Sequence, residues 1–145
     1  MSAGPGQDDI DIDRLRLVLL RIARRIRTSS VEELTPSQLA VLATVERNDR
    51  VTIGQIAEIE HVKPPSVSKI VAALEHTGFV AREPDERDRR CVFITATSQG
   101  TTYLESVRAA GRTWLASQLA ELDDGDIGEL SAALPVLERL LGVSE

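Results

Sequence analysis

Apolar residues recur at helical spacing along most of this chain. Ile12, Leu15, Leu19, Ile22 and Ile26 fall three and four apart, which predicts one stripe of an amphipathic helix. Asp8, Asp9, Asp11 and Asp13 stand at its start and Arg24, Arg25 and Arg27 at its end, the order that the helix dipole favours. Met1 to Asp9 has no period and reads as a disordered tail. Thr35-Pro36-Ser37-Gln38 is a helix start: Thr35 can cap, Pro36 suits the first helical position, and Gln38 can close a capping box. Leu39, Leu42 and Val45 then define a buried face up to about Arg47. Asn48-Asp49-Arg50 predicts a turn, and Val51-Thr52-Ile53 a short strand.

Residues 54–77 predict two short helices joined by a tight turn at His61-Val62-Lys63. Pro64-Pro65 opens the second, whose core stripe is Val67, Ile70, Val71 and Leu74, and Gly78 ends it. Phe79 to Arg82 and Cys91 to Thr95 are β-prone runs around a charged connection, which together read as a hairpin. A long helix follows from about Thr97, with Leu104, Val107, Trp114, Leu115, Leu119 and Leu122 inward and Gly111 open to close backbone approach. Asp123 to Asp126 recaps the pattern. Ile127, Leu130, Leu134, Leu137 and Leu141 then repeat close to a heptad, with Pro135 expected to bend the helix.

This order predicts a mostly α fold with a small β-hairpin wing. A winged helix-turn-helix lobe over residues 31–96 stands between helices at 10–30 and 97–145, after a tail at 1–9. Apolar stripes at both ends need a partner surface, and pairing with each other and with a second copy is the simplest solution. The dimerisation residues are then Ile12, Leu15, Leu19, Leu122, Ile127, Leu130, Leu134, Leu137 and Leu141.

The two-helix unit carries the candidate chemistry. Ala57 is small where the helices cross, and Val62, Val67 and Ile70 fix the second against the first. Pro65, Ser66, Ser68, Lys69 and Ala72 are left off the core face. Small hydroxyls and a lysine near the start of a helix suit the major groove, and a helix N-terminus favours phosphate. In the hairpin, Arg87, Arg89 and Arg90 lie within four residues, beside Asp85 and Asp88. Carboxylates can hold a guanidinium in one orientation, and an arginine at a loop tip can enter a narrow minor groove.

Charge at first argues against such a partner, since the 145 residues carry a formal net charge of −6. The acid is unevenly placed: residues 61–90 total +1, whereas residues 31–60 and 91–145 total −4 and −5. Aromatics are 3%, too few for a platform that stacks single-stranded bases. Cys91 is the one cysteine, which excludes an intrachain disulfide. His61 and His76 lack zinc-ligand spacing, and Asp123, Asp124 and Asp126 lack that of a calcium loop. No catalytic constellation, metal site or cofactor is expected. No apolar run is long enough for a membrane span, and a cytoplasmic protein is the default.

The wing Asp85-Glu86-Arg87-Asp88-Arg89-Arg90 matches the D-x-R-D-x-R signature of the MarR family (multiple antibiotic resistance regulators), which the chain resembles. Leu74-Glu75-His76-Thr77-Gly78-Phe79-Val80 before it is similar to that family's L-E-x-x-G-[LF]-[VI] passage. Val92 to Gly100 after it resembles the strand and the L-T-x-x-G helix start, with Ala96 in place of the usual leucine. Leu34 to Gln38 resembles the L-T-x-x-Q opening, and the resemblance as a whole covers about Ile10 to Leu141.

The resemblance implies a bacterial, homodimeric repressor on a pseudo-palindromic double-stranded operator, released by a small aromatic anion. It implies that Arg90 reaches the minor groove, that Asp88 orients it, and that Ser66, Ser68 and Lys69 lie on the recognition helix. Arg87 and Arg89 become phosphate or intramolecular partners. Two alternatives stay open: a winged-helix dimer that binds protein and not specific DNA, and a redox-responsive regulator using Cys91.

Overall fold

A computed structural model describes residues 10–28 and 34–142. The expected tail at 1–9 lies outside them, as do residues 29–33. The described elements are α1 (Ile12–Arg27), α2 (Pro36–Arg47), α3 (Ile53–Ile59), α4 (Pro64–His76), β1 (Val80–Pro84), β2 (Val92–Ala96), α5 (Ser98–Leu119) and α6 (Asp124–Leu140). The chain divides into two compact units, with the boundary between Gly111 and Arg112.

In the first unit α1, α2 and α3 each start at a side-chain cap. Asp11 caps α1 by accepting from the Arg14 amide at 2.9 Å. Thr35 and Gln38 form the expected capping box of α2, satisfying two amides reciprocally. Thr52 and Gln55 form a second one at the head of α3, which corrects the expected strand. The T-x-x-Q box overrides the β preference of Val51-Thr52-Ile53, and only Val51 pairs, bridging Ile94 through both backbone bonds.

The hairpin is antiparallel, from Val80 opposite Ala96 to Pro84 opposite Val92. Both strands start one residue later than the sequence suggests. Phe79 is instead a corner: its amide donates to the Leu74 carbonyl, its carbonyl accepts from Thr97, and its ring stacks on Tyr103 at 4.9 Å. Gly78 precedes it at φ +80°, the left-handed conformation that ends α4.

The core gathers Leu34, Val41, Leu42 and Val45 from the start of the lobe and α2, and Ile56 and Ala57 from α3. Val67, Val71 and Leu74 come from α4, Val51, Val80 and Ile94 from the hairpin and its bridge, and Leu104 from α5, with Phe79 as its one aromatic residue. Two expectations are corrected here. Ile70 is half-buried, because α4 turns it to the edge of the core, and Val62 is exposed, because the turn carries it outward.

Gly111 does permit close approach: a Cβ there would lie 2.9 Å from the Ile26 side chain and 3.3 Å from its carbonyl oxygen. Of the expected inward set on α5 and beyond, Leu104 is buried and Val107 half-buried in this unit.

The second unit holds residues 112–142 of the described chain. Trp114 and Leu119 are half-buried in it, whereas Leu115 and Leu122 are exposed, contrary to the expectation that both face inward. Asp123 caps α6 by accepting from the Asp126 amide, and Pro135 lies inside the helix. No residue of α6 is buried.

Candidate nucleic-acid interface

Two structures converge in the first unit, the helix pair α3–α4 and the wing. Buried Ala57 lets the helices cross closely, and its carbonyl accepts from the Val62 amide, closing the turn. His61 holds φ +52°, the left-handed position usually given to glycine or asparagine, which histidine tolerates better than bulky residues. With Val67, Val71 and Leu74 buried, α4 presents Pro65, Ser66, Lys69 and Ala72 to solvent, and Ser68 half-exposed. All five sequence-predicted positions of this helix thus lie off its core face.

One part of the expectation fails at the start of α4. A helix N-terminus binds phosphate through free backbone amides. Pro64 and Pro65 have none, and the amides of Ser66 and Val67 both donate to the Lys63 carbonyl. What remains is the dipole, the Ser66 hydroxyl and the ammonium of Lys69.

The wing tip is built by two successive turns that the D-x-R-D-x-R spacing encodes. Asp85 Oδ1 accepts from the Arg87 amide and Asp88 Oδ1 from the Arg90 amide, each at 3.1 Å. Short side-chain oxygens two residues upstream of an amide make this turn without help from the rest of the fold. The backbone closes around them, Asp85 donating to Cys91 and Cys91 to Asp88.

Asp88 has a second task. Arg90 Nε donates to its Oδ1 at 3.1 Å and Arg90 Nη2 to its Oδ2 at 3.5 Å, so one carboxylate fixes both backbone and guanidinium. The arginine stays 92% exposed while held. The guanidinium hydrogen bond, followed by the backbone one, holds the Asp88 carboxyl below its usual pKa. Arg87 and Arg89 are exposed, and neither side chain has an ion pair among the described residues.

This geometry is that of a winged helix-turn-helix, and the sequence comparisons agree. The MarR family model matches residues 34–92. The uncharacterized HTH-type transcriptional regulator Mb0904 of Mycobacterium bovis is 31% identical over 131 residues, covering 90% of this chain and 92% of the relative. The chain belongs to the MarR family. The HTH-type transcriptional repressor MdtR of Bacillus subtilis, 28% identical over 118 residues, covers 78% of the chain and 76% of itself. A regulator structure from Pseudomonas aeruginosa superposes with a TM-score of 0.83 at 28% identity, covering 97% of this chain and all of the other. The protein is therefore a DNA-binding MarR-family transcriptional regulator and not an enzyme.

This MarR-family lobe also uses residues that the sequence reading did not single out. Arg82 Nε donates to Glu75 Oε2 at 2.9 Å, tying β1 to the end of α4. The Arg50 guanidinium lies 4.3 Å above the Phe93 ring and 3.9 Å from Glu83, which also accepts from the Thr95 hydroxyl. Arg50, Arg82, Glu83 and Phe93 line an open groove of about 820 Å³ at the base of the wing. Their only sequence signal was a cation beside a predicted turn or strand.

Cys91 is half-buried where the wing loop closes. Among the described residues no group of three His, Cys, Asp or Glu side chains could hold a metal ion. No described helix is long and apolar enough to cross a membrane.

The expected dimerisation residues lie on α1 and α6, with Leu122 in the turn before α6 and Leu141 at its C-terminal cap. Ile12, Leu19, Leu122, Ile127, Leu130, Leu134 and Leu141 are exposed, and Leu15 and Leu137 are half-buried.

Proposed function

We propose that this regulator is a homodimeric repressor that reads a pseudo-palindromic double-stranded operator. The observation that carries the reading is Arg90, held by Asp88 yet almost fully exposed, on the same lobe as the solvent face of α4. A pre-oriented guanidinium loses less freedom on entering the minor groove. Pro65, Ser66, Ser68 and Lys69 then address the major groove, and Arg87 and Arg89 the phosphates. Residues 31–96 form the DNA-binding lobe, and helices at 10–30 and 97–145 the dimer.

Dimerisation is supported by apolar side chains that α1 and α6 leave in solvent, among them Ile12, Leu19, Leu130 and Leu134. Repression is supported by the relative MdtR, which bears the name repressor. Release by a small aromatic anion rests on family membership.

The test starts from operators selected out of random DNA, titrated at fixed salt with and without phenolic acids. Arg90→Ala should weaken binding by about 1–3 kcal/mol, roughly 5- to 150-fold. Unchanged affinity would overturn the wing assignment. Sedimentation at micromolar concentration should show twice the 15.8 kDa chain mass, and a 15.8 kDa species alone would reject the dimer.

A further inference from the structure

Within the first unit α5 meets its neighbours along one face. Gly100 lies against the Phe79 carbonyl, Leu104 is buried in the core, and Gly111 lies against Ile26. Arg108 falls on the same arc, since spacings of four, four and three keep side chains within about 80° on a helix turning about 100° per residue. Its partner is 62 positions earlier in the chain, at the end of α2. Arg108 Nη1 donates to Glu46 Oε1 at 3.0 Å and Nη2 to Oε2 at 2.9 Å, a two-pronged pairing. The base of Glu46 is anchored, because its neighbour Val45 is fully buried.

The contacts on this face differ in what they can fix. Leu104 and the two glycines set the distance between α5 and its neighbours, but apolar contacts are non-directional. A planar guanidinium on a carboxylate fixes orientation as well, and a lysine could not reproduce it. The Arg108 side chain is 43% exposed, so the pair adds little to stability. Its distinctive effect is on angle.

We infer that the Glu46–Arg108 pair is a positioning device for operator recognition: it sets the direction in which α5 leaves the DNA-reading lobe, and so the half-site spacing that a dimer accepts. The inference rests on the homodimeric DNA-binding reading above. Leverage makes it consequential. Within the first unit α5 runs about 20 Å from Ser98 to Gly111, so a tilt of about 10° moves its end by about 3 Å, close to one base-pair step of about 3.4 Å. Neither residue belongs to the set assigned to DNA.

The test uses the full chain and its selected operator, with the half-sites moved one base pair closer or further apart. The variants are Arg108→Lys, which keeps the charge and loses the fork, and Glu46→Gln, which keeps the shape and loses the charge. Wild-type protein should discriminate against altered spacing by about tenfold, the scale of one misfit in a site. Both variants should lower that ratio to about threefold or less while melting within a few degrees of wild type. A ratio unchanged in both variants, or a loss of affinity equal at every spacing, would overturn this inference alone. A wild-type protein that selects no two-fold operator would overturn the functional reading, and this inference with it.

Discussion

Gly100→Ala should destabilise the lobe although alanine is the better helix former. A Cβ at this position would sit 2.1 Å from the Phe79 carbonyl oxygen, 3.0 Å from its carbonyl carbon and 3.2 Å from Leu42 Cδ1. Ordinary carbon–oxygen approach is about 3.3 Å, so the carbonyl or the helix must retreat by roughly 1 Å. Neither moves freely. The Phe79 carbonyl accepts from the Thr97 amide at 3.1 Å, and the Phe79 ring is buried against Tyr103. Overpacking costs about 1–3 kcal/mol and a weakened hydrogen bond about 0.5–1.5, against a gain of up to about 1 from helix propensity. The net is a loss of about 0.5–4.5 kcal/mol. Gly54 is the matched control, because a Cβ there meets nothing nearer than Thr52 Oγ1 at 3.9 Å. Gly54→Ala should stabilise by up to about 1 kcal/mol. Urea unfolding of both variants at one protein concentration, without DNA, reads the two signs together. A Gly100→Ala midpoint at or above wild type would refute the reasoning.

Three further outcomes follow from the ion pairs and the placed cations. The Arg108 hydrogen bond holds Glu46 below its usual pKa of 4.5, so the pair stabilises above about pH 4.5 and the stability is lost as pH falls through the lowered value. Melting curves of wild type and Glu46→Gln should therefore converge in acid, and a gap that widens there would contradict the sign. Asp88→Asn keeps an acceptor for the Arg90 amide whereas Asp88→Ala removes both contacts, so anisotropy titrations should show the greater loss of operator affinity for alanine. Lys69, Arg87, Arg89 and Arg90 from two chains supply about eight cations, which limits the salt dependence of log K to a slope of about −7. A steeper slope would require phosphate contacts from other residues, such as those of α1.

The pattern of apolar residues exposed most of this fold because each helix carries its own signals. α2 has a cap, a proline and an apolar stripe that agree, and it forms as read. The error at α3 came from a conflict: Val51-Thr52-Ile53 is β-prone, yet Thr52 and Gln55 together satisfy two amides at the helix start. A capping box is a specific pair of bonds, whereas β propensity is a weak surface preference, so the box prevails. Periodicity also overstated burial at Ile70, because it identifies a face but not the width of what covers it. Glu46–Arg108 was out of reach for a related reason. A stripe describes one element, and pairing over 62 positions depends on how two elements cross.

The wing shows why net charge misled where local spacing did not. A chain of −6 suggests repulsion from DNA, and the acids around the hairpin deepen that impression. The structure gives those acids other work. Glu75 holds Arg82, Glu83 faces Arg50, Asp85 caps the Arg87 amide and Asp88 braces Arg90. Arg82 and Arg50 are thereby committed to the frame that carries the wing. Asp88 and Asp85 shape the tip while the guanidinium of Arg90 and the side chains of Arg87 and Arg89 stay in solvent. The tip is therefore close to neutral in total and strongly directional in its exposed groups. Such an arrangement gives little attraction to arbitrary duplex at a distance, where only net charge is felt. It gains its advantage at contact, where placed donors meet a groove of matching shape. On the proposed operator-binding reading, selectivity comes from suppressing non-specific binding as much as from strengthening the specific complex.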